Sequence, residues 1–236
     1  NGEILDFLRN ECVKKGQLTP KYHYVSRPPF TEAEGVRRAA YLAGKVGTPL
    51  YVAHVTSREA MDEIQEAKGK GINVNGETCT HYLTTTKEVL DNPDFNEAAK
   101  YVCSPALRDQ EDIDALWDAL NSGLLTAISS DHCGIDVAEL KQAGRDDFTQ
   151  IPNGSPGAGD RFSMIWTYGV ETGRISKQKF VELVSTNPAK INGIFPQKGT
   201  IEIGSDADIV IFDPTYRGVV KLEDNPNGVD YNVYEG

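Results

Sequence analysis

Residues 50–77, LYVAHVTSREAMDEIQEAKGKGINVNGE, contain two strand-like segments separated by one helix-like segment. The first segment, 50–55, is short, apolar and rich in β-favouring residues, which is typical of a buried strand. Ser57 is a candidate N-cap for the helix that follows, and the apolar residues of that helix recur at helical spacing. Glycines end the helix before the second strand-like segment, 72–77. The order strand–helix–strand predicts that the two strands pair in parallel.

The same alternation continues on both sides of this unit. Apolar residues recur at helical spacing over 36–46 before it and over 113–120 after it. The second of these stripes ends at Gly123, a predicted C-terminal stop, and is followed by a strand-like run, 124–130, which leads directly into Asp131. Strands that alternate with helices predict the α/β class with a parallel sheet whose strands are buried on both faces. The pattern alone leaves an open sheet and a closed barrel as alternatives.

The last hundred residues contain a long loop, further helices and a change of pattern. Residues 134–160 are rich in Gly, Pro, Asn and Asp, and long loops inside a compact domain are usually functional or disordered. Helical stripes return over 162–184, where Ser176 is a candidate N-cap. After Gly199 isoleucines alternate with polar residues, and 209–212 is a compact apolar run of β-favouring residues. This change predicts the start of a separate small β domain.

The composition of the 236-residue chain excludes several classes of function. Its 24 Lys and Arg against 35 Asp and Glu give a formal net charge of −11, which argues against nucleic acid and anionic membrane surfaces as partners. No apolar run approaches the ~20 residues of a membrane-spanning helix. The four cysteines form no CxxC pair, which fits a cytoplasmic protein with reduced thiols that pack as small core residues. The first residues, NGE, are neither a start methionine nor a signal peptide, so we expect the chain to begin within a longer one.

Two residues are the main candidates for chemistry. His54 lies in an apolar strand near its predicted end, where a lone histidine is usually a core residue bonded to a backbone carbonyl. Asp131 follows a buried strand, where a carboxylate must be paired, hydrogen-bonded or bound to a metal to offset its desolvation. Because sites in parallel α/β folds lie at the carboxyl ends of the strands, a metal site that includes both residues stands as the alternative to simple packing.

Other polar residues carry weaker signals. Glu77 is either a ligand or a carboxylate that orients its neighbours at the end of a strand. His132 follows Asp131 directly, so strand alternation turns it to the other face, and packing or support of a neighbouring ligand is the expected role. His81 and His23 lie in loop-like stretches without a partner in the sequence, and we assign them no function.

Several motifs occur in one order along the chain: YVAHVT at 51–56, GETC at 76–79, CSPALR at 103–108, SDHC at 130–133, IPNG at 151–154, KGTI at 198–201 and GSDAD at 204–208. Together they resemble the dihydropyrimidinase and D-hydantoinase branch of the cyclic amidohydrolases. The resemblance covers essentially the whole chain. GSDAD alone indicates only an amidohydrolase, whereas SDHC combined with IPNG is closer to dihydropyrimidinase than to allantoinase or dihydroorotase.

This resemblance implies a fold. Members have a (β/α)₈ barrel of the TIM type, and residues 1–197 correspond to its last strands and helices. Residues 198–236 correspond to the beginning of a β-sandwich segment that follows the barrel. The family commonly forms homotetramers, so a homo-oligomer is expected.

The resemblance also implies a site and a reaction. It places two divalent metal ions, usually Zn²⁺, at the barrel mouth, with one bound by His54 and the other by Asp131, which also shuttles the proton. Backbone groups of Ser104 and Asn153 hold the small cyclic amide substrate. The reaction is hydrolytic ring opening of dihydropyrimidines or hydantoins to N-carbamoyl amino acids, as in pyrimidine catabolism.

The other family ligands are a His-x-His pair, a carboxylated lysine that bridges the metals and a further histidine. All of them precede this chain in the family pattern, since NGE at 1–3 resembles the stretch directly after the last histidine. Zinc sites take three or four protein ligands, so the 236 residues alone are expected to be inactive.

Two other functions remain as alternatives: an allantoinase-like hydrolase, and a non-catalytic relative that keeps the fold as a scaffold, similar to the collapsin-response mediators. Both visible ligand positions are still His and Asp, which favours the enzyme.

Overall fold

Three short parallel strands form the sheet of the protein. The computed structural model describes residues 2–224 and 227–236. Its strands are β1 (Leu50–Val52), β2 (Val74–Cys79) and β3 (Ala127–Ser129), in the order β1-β2-β3. Both pairings are parallel, as predicted. The α/β class with a parallel sheet is therefore confirmed, and the arrangement is that of part of a (β/α)₈ barrel.

Ten α-helices are described around and after this sheet: α1 (Gly2–Lys14), α2 (Tyr22–Val25), α3 (Pro29–Val46), α4 (Arg58–Gly69), α5 (Thr80–Thr84), α6 (Phe95–Ala99), α7 (Gln110–Ser122), α8 (Arg161–Ile165), α9 (Lys177–Val181) and α10 (Asn187–Ile191). Single π-helical turns continue α8 over Trp166–Glu171 and α9 over Glu182–Thr186. None of these described helices is both long and apolar enough to span a membrane.

The sequence signals for helix ends act as predicted. The Ser57 side chain accepts a hydrogen bond from the backbone N–H of Ala60 and so caps α4. Ser176 caps α9 in the same way through the N–H of Lys179. Gly123 ends α7 with φ of 80°, a left-handed conformation that glycine adopts without steric cost.

β1 and β3 are shorter than the apolar runs that predicted them, and β2 is shifted along the chain. β1 ends at Val52 rather than Val55, and β2 lies two residues later than the run 72–77. The pairing Val52↔Gly76 is the last one between β1 and β2, so residues beyond Val52 leave the ladder. Where a strand ends is set by its hydrogen-bonded neighbour, which the apolar pattern of one segment does not contain.

Helices cover one face of the sheet, whereas burial on both faces was predicted. On the covered face Val74 and Ile128 lie in a core formed mainly with apolar side chains of α4 and α7. The other face carries Tyr51, which is exposed, and the half-buried Glu77 and Ser129. Cys79 and Ala127 on this second face are buried, so the predicted burial on both faces holds at these positions, and the polar side chains of this face bond to one another.

The strand predicted at 209–212 is absent. Residues 198–224 and 227–236 contain one 3₁₀ turn, Leu222–Asp224, and no strand. Ile209, Val210 and Ile211 are exposed by 60%, 73% and 95%. An extended segment becomes a strand only when a partner accepts its hydrogen bonds, and none of the described residues pairs with it. The division into a barrel part and a β part at residue 198 stays a prediction.

A buried ion pair ties α3 to the sheet side of the protein. Arg108 donates to the Glu32 carboxylate, and their side chains are 6% and 11% exposed. The same carboxylate accepts the backbone N–H of Thr56 at 2.8 Å, two residues after His54. Arg108 also donates to the Thr56 hydroxyl at 3.0 Å. This network fixes the segment that leaves β1.

Replacing Glu32 with Gln should lower the free energy of unfolding by roughly 3–5 kcal/mol, because Arg108 would keep a buried charge without its carboxylate. Equilibrium denaturation of the intact protein measures the loss. The matched control is Glu66→Gln, which breaks an exposed pair with Lys70 on α4 and should change little. Equal losses in the two variants would contradict the structural importance of the buried pair.

Candidate active site

His54 and Asp131 occupy the same position relative to their strands. His54 is the second residue after β1, and Asp131 is the second residue after β3. They are also the only two described non-glycine residues with positive φ, at 42° and 43°. Left-handed backbone costs an L-residue roughly 1–2 kcal/mol and recurs at functional sites. The conformation turns the chain sharply at the carboxyl edge of the sheet.

The surroundings of these two residues differ from the predicted ones. His54 lies beyond the strand rather than within it and is half-buried. Asp131 is exposed, so burial does not require it to be paired. Neither side chain makes a hydrogen bond or an ion pair with any residue in 2–224 or 227–236. Both are therefore available to an external ligand.

The separation of the two residues is set by the strand between them. Adjacent strands lie about 4.8 Å apart, so the ends of β1 and β3 are about 10 Å apart across β2. An imidazole and a carboxylate are ligand types that Zn²⁺ takes, but a zinc site takes three or four protein ligands. Within the described parts of the chain, no group of three or more His, Cys, Asp or Glu side chains could hold a metal ion. These residues can therefore supply part of a metal site and not a complete one.

Glu77 connects all three strands on the polar face of the sheet. The Tyr51 hydroxyl on β1 donates to one carboxylate oxygen at 2.7 Å, and the Ser129 hydroxyl on β3 donates to the other at 2.8 Å. Burial and then this bond to Glu77 raise the pKa of Tyr51. Of the two roles left open by the sequence, the structure supports a carboxylate that orients its neighbours.

Ser104 and Asn153, 49 residues apart, lie together at the surface. The Ser104 hydroxyl donates to the Asn153 side-chain oxygen at 3.0 Å. Gly154 packs tightly behind them, since a Cβ there would lie 2.7 Å from Cys133 Sγ. The Asp131 charge reaches this loop as well: burial raises the pKa of Cys103 to about 11, and Asp131 adds to that shift.

His23 and His81 are buried, and both lie in short helices rather than in loops. His23 Nε2 donates to the backbone carbonyl of Cys103 at 2.7 Å, which makes it a core residue that supports the Ser104 loop. The His81 ring lies 4.0 Å from the Tyr82 ring at an angle of 52°, and its Nε2 atom has no hydrogen-bond partner among the described residues. Burial, with a smaller contribution from His54, lowers the pKa of His81 to about 3.

The remaining candidates are His132 and the four cysteines. His132 is exposed, and its Nδ1 accepts the backbone N–H of Gly157 at 3.3 Å. Cys12, Cys79 and Cys103 are buried as predicted for core residues, but Cys133 is exposed. Its thiol lies 3.9 Å from the Asn153 carbonyl oxygen, so it belongs to the rim of the site.

One buried charge was missed by the sequence analysis. Lys141 lies in the glycine-rich loop and contacts the backbone behind both Ser104 and Asn153. A single lysine in a polar loop carries no pattern that distinguishes it from an exposed one. Only the fold shows that it is enclosed.

Comparison with known proteins identifies the family. The model of the amidohydrolase family matches residues 35–233. The chain belongs to the amidohydrolase family. The match includes both left-handed residues and both surface loops described above.

Named relatives place this amidohydrolase chain in the dihydropyrimidinase and hydantoinase branch, as the motifs predicted. It is 50% identical to a D-hydantoinase of Ralstonia pickettii and 48% identical to a D-hydantoinase of Rhizobium radiobacter, each over 236 residues and all of the chain. The crystal structure of a dihydropyrimidinase from Brevibacillus agri matches all of the chain with a TM-score of 0.97 and 47% identity. The chain spans 51% of the length of each of these proteins.

The strain at Asp131 can be measured. Because residue 131 has φ of 43°, Asp131→Gly should be more stable than Asp131→Ala by about 1 kcal/mol, although both variants lack the carboxylate. Denaturation midpoints of the two variants test this difference. At Asp118, an exposed position within α7, the order should reverse, with Gly about 1 kcal/mol less stable than Ala. The same order at both positions would contradict the strained backbone.

His23 should make the protein sensitive to acid. Burial, and then the nearby charge of Arg27, hold the pKa of His23 well below its usual 6.5. The unfolded chain therefore binds the proton first, so stability is complete above pH 6.5 and falls by about 1.4 kcal/mol per pH unit below it.

His23→Gln keeps a donor for the Cys103 carbonyl and removes this titration. The stability difference between parent and variant should shift by about 2 kcal/mol in favour of the variant between pH 7 and pH 5. Urea denaturation at several pH values measures the shift. Parallel pH curves for the two proteins would argue against a buried neutral histidine.

Proposed function

We propose that the protein containing this chain hydrolyses cyclic amides, opening dihydropyrimidines and hydantoins to N-carbamoyl amino acids. The observation that carries the proposal is the pair His54 and Asp131, on strained backbone at equivalent strand ends, whose side chains make no hydrogen bond or ion pair with a described residue. Ser104 bonds to Asn153, and the Asn153 loop lies against the segment that follows Asp131, since the N–H of Cys133 donates to the Ser155 carbonyl at 3.1 Å. Relatives named D-hydantoinase and dihydropyrimidinase support the substrate class.

Two divalent metal ions, Zn²⁺ in our proposal, complete the site. His54 would bind one ion and Asp131 the other, which agrees with the separation of about 10 Å between their strand ends. The bridging carboxylated lysine and the other histidines would come from outside this chain. Such ions lower the pKa of water and polarise a carbonyl oxygen.

The chain's own residues would position the substrate and move the proton. A water molecule is a poor nucleophile until it loses a proton, and the ring nitrogen is a poor leaving group until it gains one. The exposed Asp131 carboxylate can accept the proton from the attacking water and then deliver it to that nitrogen. Backbone groups of Ser104 and Asn153 would bind the ring amide and hold the scissile carbonyl in line for attack.

The assembly and location are proposed from the family resemblance. We propose a homo-oligomer, a tetramer as in that family, in the cytoplasm. Three buried free cysteines are compatible with reducing conditions.

Replacing Asp131 with Asn in the full-length protein should lower turnover by about 10²–10⁴-fold, because the amide cannot accept the proton. His54→Ala should chiefly lower the metal content, measured by mass spectrometry. Asp118→Asn, on the outer surface of α7, is the control and should leave both quantities unchanged. Near-full turnover without the Asp131 carboxylate would refute its role.

The substrate is tested by offering dihydrouracil, hydantoin, allantoin and dihydroorotate to the metal-loaded protein in parallel. Turnover of dihydrouracil or hydantoin that a chelator abolishes is the expected result. Turnover of allantoin alone would overturn the substrate class and keep the mechanism. A folded protein that binds no metal and opens none of the four rings would refute the proposed function.

A further inference from the structure

Lys141 is completely buried, and the hydrogen bonds that its side chain makes to the described residues all go to backbone carbonyls. It begins the 3₁₀ turn Lys141–Gly144, and its side chain is 0% exposed. Its Nζ atom donates to the carbonyls of Ala99 at 2.7 Å, Val102 at 3.2 Å and Gly154 at 2.7 Å. A lysine ammonium has three N–H donors, so each carbonyl receives one.

Two of these carbonyls, those of Val102 and Gly154, belong to the two loops of the candidate site, and the third is that of Ala99 at the end of α6. Val102 precedes Ser104 by two residues, and Gly154 directly follows Asn153. The loops also bond directly, since the N–H of Gly154 donates to the Val102 carbonyl at 2.9 Å. The ammonium group therefore joins the loops from the buried side, while the bond from Ser104 to Asn153 joins them at the surface.

Burying the Lys141 ammonium group costs free energy of desolvation that its surroundings do not offset with an ion pair. No carboxylate among the described residues forms an ion pair with it. The charged, titratable and aromatic groups near it include Asp230, the thiols of Cys103 and Cys133, the buried His23, and the ring of Tyr231 at 5.8 Å. Burial lowers the pKa of Lys141 to about 8. An apolar side chain of similar length could fill this volume without that cost but could not bond three carbonyls at once.

We propose that Lys141 is a positioning residue that sets the spacing of the Ser104 and Asn153 loops and thereby the affinity of the site for the substrate's ring amide. The second half of this statement rests on the proposed function. Lys141 touches no substrate itself and acts through the backbone of Val102 and Gly154. Because backbone groups of the two loops bind the ring before and during reaction alike, loosening them should raise KM more than it lowers kcat.

The test compares Lys141→Met with Lys179→Met in the full-length protein. Lys179 pairs with Glu182 at the end of α9 and is the control, with a side chain that is 20% exposed. Lys141→Met should raise KM for dihydrouracil or hydantoin by about tenfold or more, the effect of one misplaced hydrogen bond, with kcat within about threefold. The control should change neither constant.

A second readout does not depend on activity. Hydrogen–deuterium exchange of peptides covering residues 99–105 and 150–156 should be at least about tenfold faster in Lys141→Met and unchanged in Lys179→Met, because opening of the loops would expose the Gly154 amide. Lys141→Gln, which keeps two N–H donors, should lie between parent and Lys141→Met in both measurements.

The outcomes separate the two proposals. Unchanged exchange and unchanged KM in a folded Lys141→Met variant would overturn the positioning role. Faster exchange in a protein whose parent opens no cyclic amide would refute the proposed function and leave the control of loop spacing standing. Loss of folding in both Lys141 variants would overturn the proposal by showing that Lys141 is needed for the fold itself.

Discussion

The parallel pairing of β2 with both β1 and β3 is the constraint on which the rest of this structure depends. Since all three strands run in one direction, their carboxyl ends share an edge, and residues from distant parts of the chain meet there. His54 and Asp131 leave β1 and β3 at this edge with the same left-handed turn. Glu77 bonds to side chains of both neighbouring strands and reinforces the pairing.

Two buried cations hold in place the segment after β1 and the loops that carry Ser104 and Asn153. The ion pair of Arg108 with Glu32 fixes the chain just after His54, and Lys141 fixes the loops that carry Ser104 and Asn153. Both cations are enclosed, so each needs its partners to offset the loss of hydration. The candidate substrate-binding residues Ser104 and Asn153 lie in loops rather than in strands, and internal hydrogen bonds give those loops a defined conformation.

Membership of the amidohydrolase family gives these features a common interpretation. The described chain offers one imidazole and one carboxylate at the sheet edge, fewer ligands than a zinc site takes. The relatives are about twice as long as this chain, and the remaining ligands are proposed to lie in the part that it does not contain. The isoleucines beyond residue 200 are exposed, and none of the described residues pairs with them in a sheet.

Local physical chemistry made part of this protein predictable from its sequence. Ser57, Ser176 and Gly123 act at helix ends within a few residues of themselves, so the sequence alone determined those boundaries and the α/β class. The motifs around His54, Asp131, Ser104 and Asn153 also predicted which residues form the candidate site. Only the tertiary structure decided where each strand ends, that Asp131 is exposed and that Lys141 is enclosed. These properties depend on neighbours tens of residues away, which periodicity and capping within one segment cannot encode.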